Sequence, residues 1–359
     1  MAYIELHKDK LKQNFNYLDR LFKEEGRDWA VVSKILCGNE KYLKELIDLG
    51  VNEICDARIS NLKMIKELNP DIDTVYIKPP AKDHIEDVVK YADASFNTEL
   101  ETIKWISEEA VKQGKLHKII IMIELGDLRE GVMGGELIDF YESIFKLPGI
   151  KVTGIGTNLN CVSGVYPSQD KLVQLCLYEQ LIEAKFGRKI PWVTGGTSVV
   201  LPLLFKKQVP KGVNHFRVGE SLFFGNDLWT EETIEGMGGS VFKLFTQIIE
   251  INEKPKVPVG YLGQNPSGET VEFTNEDYGV KSYRALLDLG VLDVSNTDFL
   301  VPQDKRLELI GGSSDMLVLD LGDAEDDYKV GDFVTFDLKY MGALRLLNSD
   351  YIDKKIVTH

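Results

Sequence analysis

A lysine stands directly after a short apolar run near the amino end of the sequence. The run is WAVVS, and Lys34 follows it. A lysine at the end of a buried strand can lose part of its hydration, and its amine can then form a Schiff base with a carbonyl compound. Position alone does not separate this role from that of a surface lysine at a strand end, so other motifs must decide.

Two glycine-containing segments could bind an anion such as phosphate. In VTGGTSVV, Thr197 and Ser198 follow two glycines and precede a predicted helix. In FRVGES, Gly219 and Glu220 come soon after Arg217. A glycine-rich turn that leads into a helix presents backbone N–H groups to an anion. A plain turn with Ser198 as helix N-cap is the alternative interpretation.

A third segment, IELGDLREGV, carries charged side chains at the end of an apolar run. It contains Glu124 and Arg129, and its glycines allow a tight loop. Such a loop could bring the guanidinium of Arg129 back toward the strand end.

The elements that must position these residues are eight short apolar or β-branched runs that alternate with amphipathic helical stretches. This alternation is typical of parallel strands joined by crossover helices. Eight units predict a (β/α)₈ TIM barrel rather than a doubly wound sheet, and they place the active site at the carboxyl ends of the strands. The runs are residues 29–34, 52–55, 73–77, 92–96, 118–125, 151–158, 190–194 and 213–218.

The pattern changes after Gly225, where short strand-like runs separated by turns replace the βα alternation. We therefore predict a barrel domain over residues 1–225 and a β-rich domain over residues 226–359. The first run, residues 3–6, has no place among the eight barrel strands. We expect it to pair with the second domain.

Composition excludes several classes of function. The net charge of −15 argues against binding to a nucleic-acid backbone, and no apolar run reaches the length of a membrane span. The amino terminus lacks an apolar signal core, and the four cysteines show no paired or zinc-type spacing, so we expect a cytoplasmic protein. The five histidines show no metal-ligand spacing, and no metal is predicted. His215, on the last predicted barrel strand, is expected to be a satisfied core or supporting group.

Three segments of the chain resemble the pyridoxal 5′-phosphate (PLP)-dependent alanine racemase family, fold type III. These segments are ELGDLREGV, GIGTNLNCVSGV and RVGES, and they are most similar to the ornithine racemase branch. The resemblance implies a head-to-tail homodimer that acts on a free amino acid with PLP bound covalently to Lys34. It implies racemisation of ornithine, with a broader lysine and arginine racemase or an alanine racemase as alternatives.

The resemblance also assigns residues around the cofactor ring. Arg129 matches the arginine near a cofactor oxygen and the substrate carboxylate, with Glu124 in place of the usual aspartate. Arg217 matches the arginine that donates to the pyridine nitrogen, and Asn158 stands where a histidine usually supports that arginine. An arginine does not readily give up its proton, so the ring stays a weaker electron sink and side reactions such as transamination are limited.

Further residues match the phosphate and substrate sites of the family. Ser313 and Asp315, in GGSSDMLVLDL, match residues near the substrate. Alanine racemases carry a longer segment with a phosphate-binding tyrosine where this chain has Cys37-Gly38, which puts alanine as substrate in doubt. The phosphate site matches Thr197, Ser198, the amides of Gly219 and Glu220, and Tyr351.

Racemisation needs an acid or base on each face of the α-carbon, and Lys34 covers one face. In the family the other group is a tyrosine of the partner subunit's second domain. The segment KPKVPVGYLGQNPSG nominates Tyr261, and Tyr283 in KSYRALLDLG is the alternative.

Three other functions share parts of this pattern. A single-domain PLP carrier protein would lack the second domain. A D-threonine aldolase or D-serine dehydratase-like lyase needs a metal held by His and Cys in that domain, and no cysteine lies beyond Cys176. A basic amino-acid decarboxylase of this fold would be longer and would use a glutamate where this chain has Arg217.

Overall fold

The computed structural model describes residues 2–264, 270 and 272–358. Its strands and helices follow one another in the alternation that the sequence predicts for the first two thirds of the chain. The strands are β1 (Tyr3–His7), β2 (Asp28–Val32), β3 (Glu53–Asp56), β4 (Asp73–Tyr76), β5 (Ala94–Asn97), β6 (His117–Met122), β7 (Ile150–Gly156), β8 (Trp192–Thr194), β9 (His215–Val218), β10 (Phe242–Pro255), β11 (Lys281–Leu287), β12 (Leu300–Pro302), β13 (Glu308–Gly312), β14 (Leu317–Asp320), β15 (Phe333–Leu338) and β16 (Asp353–Val357). The helices are α1 (Lys8–Glu24), α2 (Glu40–Ile47), α3 (Ile59–Leu68), α4 (Ile85–Tyr91), α5 (Leu100–Lys112), α6 (Leu137–Ile144), α7 (Gln169–Phe186), α8 (Leu201–Phe205), α9 (Glu220–Phe224), α10 (Val291–Val294) and α11 (Tyr340–Leu347).

Strands β2 to β9 form a closed parallel barrel, in which β9 pairs with β2. Each of the eight predicted runs overlaps one of these strands, so the predicted (β/α)₈ barrel is confirmed. A parallel strand covered on both faces favours a continuous apolar sequence, as in the HKIIIM of β6. The barrel contains a buried cluster of Ala30, Val32, Cys55, Val75, Ala94, Phe96, Ile120 and Met122.

The β-rich part of the chain is an antiparallel sheet, as expected for a separate second domain. Its main strand order is β12-β15-β10-β11-β14-β13. Strand β1 pairs with β10, with Tyr3 opposite Phe245, and β16 in turn pairs with β1. The first strand therefore belongs to a sheet whose other members lie more than two hundred residues later in the sequence.

The chain divides into one unit of residues 7–241 and another of residues 2–6 and 242–357. The division comes after Val241 and not at Gly225, because the intervening segment is hydrogen-bonded to the end of the barrel. The amide of Ile234 donates to the carbonyl of Gly225, and that of Val241 donates to Phe223, both at 2.8 Å. Among the described residues, no helix is both long and apolar enough to span a membrane.

Candidate active site

Lys34 begins a single 3₁₀ turn directly after β2, at the carboxyl end of the barrel, and its side chain is exposed. The residue before it is fixed by a buried carboxylate. Ser33 donates its hydroxyl to Asp56 at the end of β3, at 2.7 Å, and Asp56 also accepts from the backbone of Arg58 and from Asn61. Burial raises the pKa of Asp56 while these donors oppose the rise. This network fixes the backbone from which Lys34 projects.

Arg217 lies inside the barrel, on β9, and is 2% exposed. It donates through Nη2 to the carbonyl of Thr157 at 2.9 Å and through Nη1 to the hydroxyl of Thr194. Its guanidinium carbon lies 5.0 Å from the centre of the Phe96 ring. Burial lowers the pKa of Arg217 to about 10, so the side chain remains a cation at neutral pH.

The two predicted anion-binding segments come together after β8 and β9. Ser198 Oγ accepts from the backbone N–H groups of Gly219 and Ser221, at 3.3 and 3.1 Å. Thr197 precedes this serine and is half-buried. A Cβ on Gly219 would lie 3.0 Å from the carbonyl oxygen of Val32, so glycine permits the close approach of this turn to β2. The structure therefore places Ser198 beside Gly219, and phosphate binding at this point stays a prediction.

Glu220 links this turn electrostatically to the candidate nucleophile. Burial raises the pKa of its carboxyl group, and the positive charge of Lys34 opposes that rise. The two predicted sites, the lysine after β2 and the turn after β9, therefore share one local electrostatic environment.

Arg129 is paired with two neighbours at the barrel end. Its guanidinium forms an ion pair with Glu130, and the side-chain oxygen of Asn158 accepts from Nη1 and Nη2 at 3.0 and 2.7 Å. The expectation that Asn158 supports Arg217 is therefore wrong: the backbone carbonyl of Thr157 contacts Arg217, and the side chain of the following residue reaches the other arginine. Glu124 accepts from the backbone N–H of Gly126 and shapes the same loop.

Asp127 was not recognised from the sequence, although it organises the loops after β6 and β7. Its buried carboxylate accepts from four backbone N–H groups between Cys161 and Val165, at 3.0 to 3.3 Å. Burial acts to raise the pKa of Asp127, but these donors hold it below its ordinary value. These hydrogen bonds join the loop that contains Arg129 to the loop that contains Asn158. Its only sequence signal is an aspartate among glycines.

Thr157 and Thr194 were also not recognised as contacts of Arg217. Both are polar residues at strand ends inside apolar segments, which is the signal that could have indicated them. They supply the acceptors that a buried guanidinium requires.

Within the second unit, Asp315 and Tyr351 line one cavity of about 760 Å³, together with Asp288, Asp293 and Arg345. Ser313 lies in the turn before β14 and exchanges hydrogen bonds with Met316. Of the four predicted site residues of this unit, Tyr261, Ser313, Asp315 and Tyr351, the structure thus brings Asp315 and Tyr351 to a common cavity.

The two candidate tyrosines occupy different settings in that unit. Tyr261 lies in the segment between β10 and β11 and is fully exposed, and the end of its motif, residues 265–268, lies outside the described residues. Tyr283 is on β11, opposite Glu253, and is 42% exposed. Their roles stay predictions.

Comparison with known proteins decides the family of this barrel. The family model for the N-terminal domain of alanine racemase matches residues 6–227. The chain belongs to the alanine racemase N-terminal domain family.

Relatives of the alanine racemase family match along nearly the whole chain. An ornithine racemase from Acetoanaerobium sticklandii is 38% identical over 350 residues, which is 97% of this chain and 98% of the relative. A lysine racemase from Thermotoga maritima is 29% identical over 96% of this chain and 95% of its own length. The alanine racemase of Clostridium difficile 630 has the same fold, with a TM-score of 0.74 at 17% identity over 100% of this chain and 96% of that one.

Proposed function

We propose that this protein interconverts L- and D-ornithine. The enzyme class follows from the family: the chain is a PLP-dependent amino-acid racemase. The observation that carries the substrate assignment is the 38% identity to an ornithine racemase over 97% of the chain. Asp315, predicted near the substrate, shares its cavity with Asp288 and Asp293, and this local negative charge favours a cationic side chain.

The residues at the barrel end fit PLP. The N–H groups of Gly219 and Ser221 hold the hydroxyl of Ser198, which can donate to a phosphate monoester, and Arg217 is a buried cation that can donate to a ring nitrogen. Lys34 supplies the amine for the covalent bond. When bound, PLP supplies an electron-withdrawing ring that stabilises negative charge at the α-carbon of an amino acid.

The proposed roles divide the chemistry among the chain's own side chains. Lys34 moves a proton on one face of the α-carbon, and Tyr261 of the partner subunit moves a proton on the other. Arg129 binds the substrate carboxylate, since a guanidinium forms charge-assisted hydrogen bonds with a carboxylate. Its ion pair with Glu130 and its bonds to Asn158 hold the guanidinium in place. Tyr351 is the proposed last donor to the phosphate.

A head-to-tail homodimer in the cytoplasm is part of the proposal. The dimer is required if a tyrosine of one subunit completes the site of the other. The four cysteines, Cys37, Cys55, Cys161 and Cys176, are free thiols, which is the ordinary state in a reducing compartment.

The substrate assignment predicts that kcat/KM for ornithine exceeds that for lysine and, by a larger factor, that for alanine. The measurement is racemisation of purified enzyme against a panel of L- and D-amino acids, read by chiral chromatography. A substrate without a charged side chain cannot form the ion pair, and its kcat/KM is expected to be lower by about tenfold to a hundredfold. A larger kcat/KM for alanine than for ornithine would overturn the assignment.

The proposed role of Arg129 predicts that Gly131→Ala strongly slows racemisation. Gly131 has φ +149°, and a Cβ there would come within 2.2 Å of the backbone nitrogen of Glu124. The loop must shift and carry Arg129 with it, and displacement of a positioning group by about 1 Å can cost roughly 10²-fold in rate.

Gly135→Ala is the matched control for this change, because a Cβ on Gly135 meets nothing within 4 Å. We expect the control to racemise at the rate of the parent enzyme and the Gly131→Ala variant to keep its visible cofactor absorbance. Equal rates for the two variants would show that the loop of Arg129 does not position the substrate.

A further inference from the structure

A line of polar side chains runs inside the barrel from Arg217 toward the amino ends of the strands. The hydroxyl of Thr194 accepts from Arg217 Nη1 and lies 3.0 Å from Nδ1 of His215. All three side chains are at most 2% exposed. Thr194 ends β8, and the other two residues share β9, so the strand pairing itself aligns them.

The line continues from His215 to a carboxylate. Nε2 of His215 lies 3.3 Å from Oε1 of Glu53 on β3, and in the described part of the chain neither atom forms a hydrogen bond, so the two buried polar atoms face each other as a close electrostatic contact. The imidazole stacks on Trp192, with ring centres 4.9 Å apart and planes 10° from parallel. Packing thus fixes the ring, and a buried polar pair of this kind calls for a structural or functional reason.

The carboxylate lies at a cavity of about 230 Å³ at the end of the barrel remote from Lys34. His215, Glu53, Asp28 and Asp73 are among the residues that line it. The side chain of Glu53 is 14% exposed. The line of polar groups therefore reaches from this cavity to the buried guanidinium.

Hydrogen-bond capacity fixes the direction of the first link in this line. Arginine only donates, so the oxygen of Thr194 accepts from Arg217, and its hydroxyl proton can be donated to Nδ1 of His215. A neutral imidazole that accepts at Nδ1 carries its proton at Nε2, the atom that faces Glu53. In the arrangement that we infer, Thr194 donates to Nδ1, and every proton of the line points away from Arg217 and toward the carboxylate.

We propose that Thr194, His215 and Glu53 form a relay that positions Arg217 and stabilises its charge, which deepens the proposed function because Arg217 is the proposed donor to the cofactor ring. The relay places a carboxylate two side chains away from the guanidinium. This negative charge offsets part of the cost of burying the positive charge of Arg217. These three are positioning residues, since each acts through Arg217. They extend the cofactor site from the carboxyl end of the barrel to its opposite end.

The first test is the tautomer of His215 in the protein without PLP. Protein labelled with ¹⁵N-histidine contains five such side chains, and loss of one signal in His215→Gln assigns the resonance. We expect the Nε2–H tautomer in ¹H–¹⁵N correlation spectra. An Nδ1–H tautomer would overturn the relay, and it would do so whether or not the protein racemises ornithine.

The second test separates the hydroxyl of Thr194 from its shape. Thr194→Val removes the hydroxyl and keeps the volume, and we expect PLP affinity of the apoprotein to fall by about tenfold or more, as for a lost hydrogen bond to a charged group. Thr194→Ser keeps the hydroxyl and should keep most of the affinity, whereas the valine variant should also melt at a lower temperature because it removes an acceptor of a buried cation. Equal affinities for the valine and serine variants would contradict the proposal. Failure of the parent protein itself to bind PLP would instead contradict the proposed function.

The third test addresses the carboxylate. Glu53→Gln keeps the size of the side chain and removes its charge, and we expect PLP affinity to fall roughly threefold, the size of effect typical of a charge interaction with a partly exposed carboxylate. Asp73→Asn is the matched control: Asp73 lines the same cavity, but its ion pair is with Lys118 at 3.9 Å. The same affinity in both variants would exclude Glu53 from the relay.

Discussion

Replacing Lys34 by alanine is expected to abolish both racemisation and the visible absorbance of the bound cofactor. The change removes the amine that holds PLP and the group that moves the proton on one face of the α-carbon, so the loss should exceed the ~10² to 10⁴ of a single acid–base group. The measurements are chiral chromatography and absorbance spectra of protein purified with PLP.

Lys78→Ala is the matched control, because Lys78 is also an exposed lysine soon after a barrel strand, β4. It should keep full activity. The backbone before Lys34 is fixed by the Ser33–Asp56 hydrogen bond, which the alanine variant retains, so its melting temperature should match that of the parent protein without PLP. Borohydride reduction followed by peptide mapping that found PLP on a different lysine would refute the assignment.

Tyr261→Phe is expected to slow racemisation by ~10² to 10⁴, the usual effect of losing a positioned acid–base group, while the cofactor stays bound. The hydroxyl of Tyr261 is on a fully exposed ring, so its removal should not affect folding. The variant should still exchange the α-proton of one enantiomer with deuterated solvent, because Lys34 serves that face. Inversion should fall far more than exchange.

Tyr283→Phe tests the alternative base, and Tyr278→Phe is a control at another exposed tyrosine of the same unit. Collapse of inversion in Tyr283→Phe with a normal rate in Tyr261→Phe would move the second base to Tyr283. Normal inversion in both would mean that neither tyrosine completes the site.

The barrel could be predicted from the sequence because its signals are local. Each strand is a short apolar or β-branched run, such as the one from Ile119 to Met122, and such runs are buried wherever parallel strands are covered on both faces. The position of Lys34 and of Arg217 at strand ends followed from the same pattern. The pairing of residues 3–6 with the second sheet could be expected only because the barrel already had eight strands.

The contacts of the site were harder to predict because they depend on loop conformation. Asn158 binds Arg129 and not Arg217, and the loops that decide this contain Leu128 and Asn160 with positive φ angles of 56° and 58°. Residues other than glycine rarely adopt this conformation, so composition does not indicate it. Neighbouring residues of one loop can therefore serve different arginines without any local signal.

The contacts of His215 were also hard to predict, because they join strands that are far apart in the sequence. The sequence places it on the last barrel strand and allows a supporting role, but its partner Glu53 lies on a strand near the other end of the barrel sequence. Only closure of the barrel brings these strands near each other. The position of His215 on a barrel strand was predictable, and its contact with Glu53 was not.

The first strand of the chain has a consequence for how the protein can be trimmed or tagged. Strand β16 joins the sheet through β1, and Tyr351 stands just before β16. Proteolytic removal of the first seven residues, which include β1, would thus leave β16 without its pairing strand. The segment before β16, with the tyrosine proposed to bind phosphate, would then lose its support. For the same reason, a fragment that starts at Phe242 would carry unsatisfied strand edges and tend to aggregate.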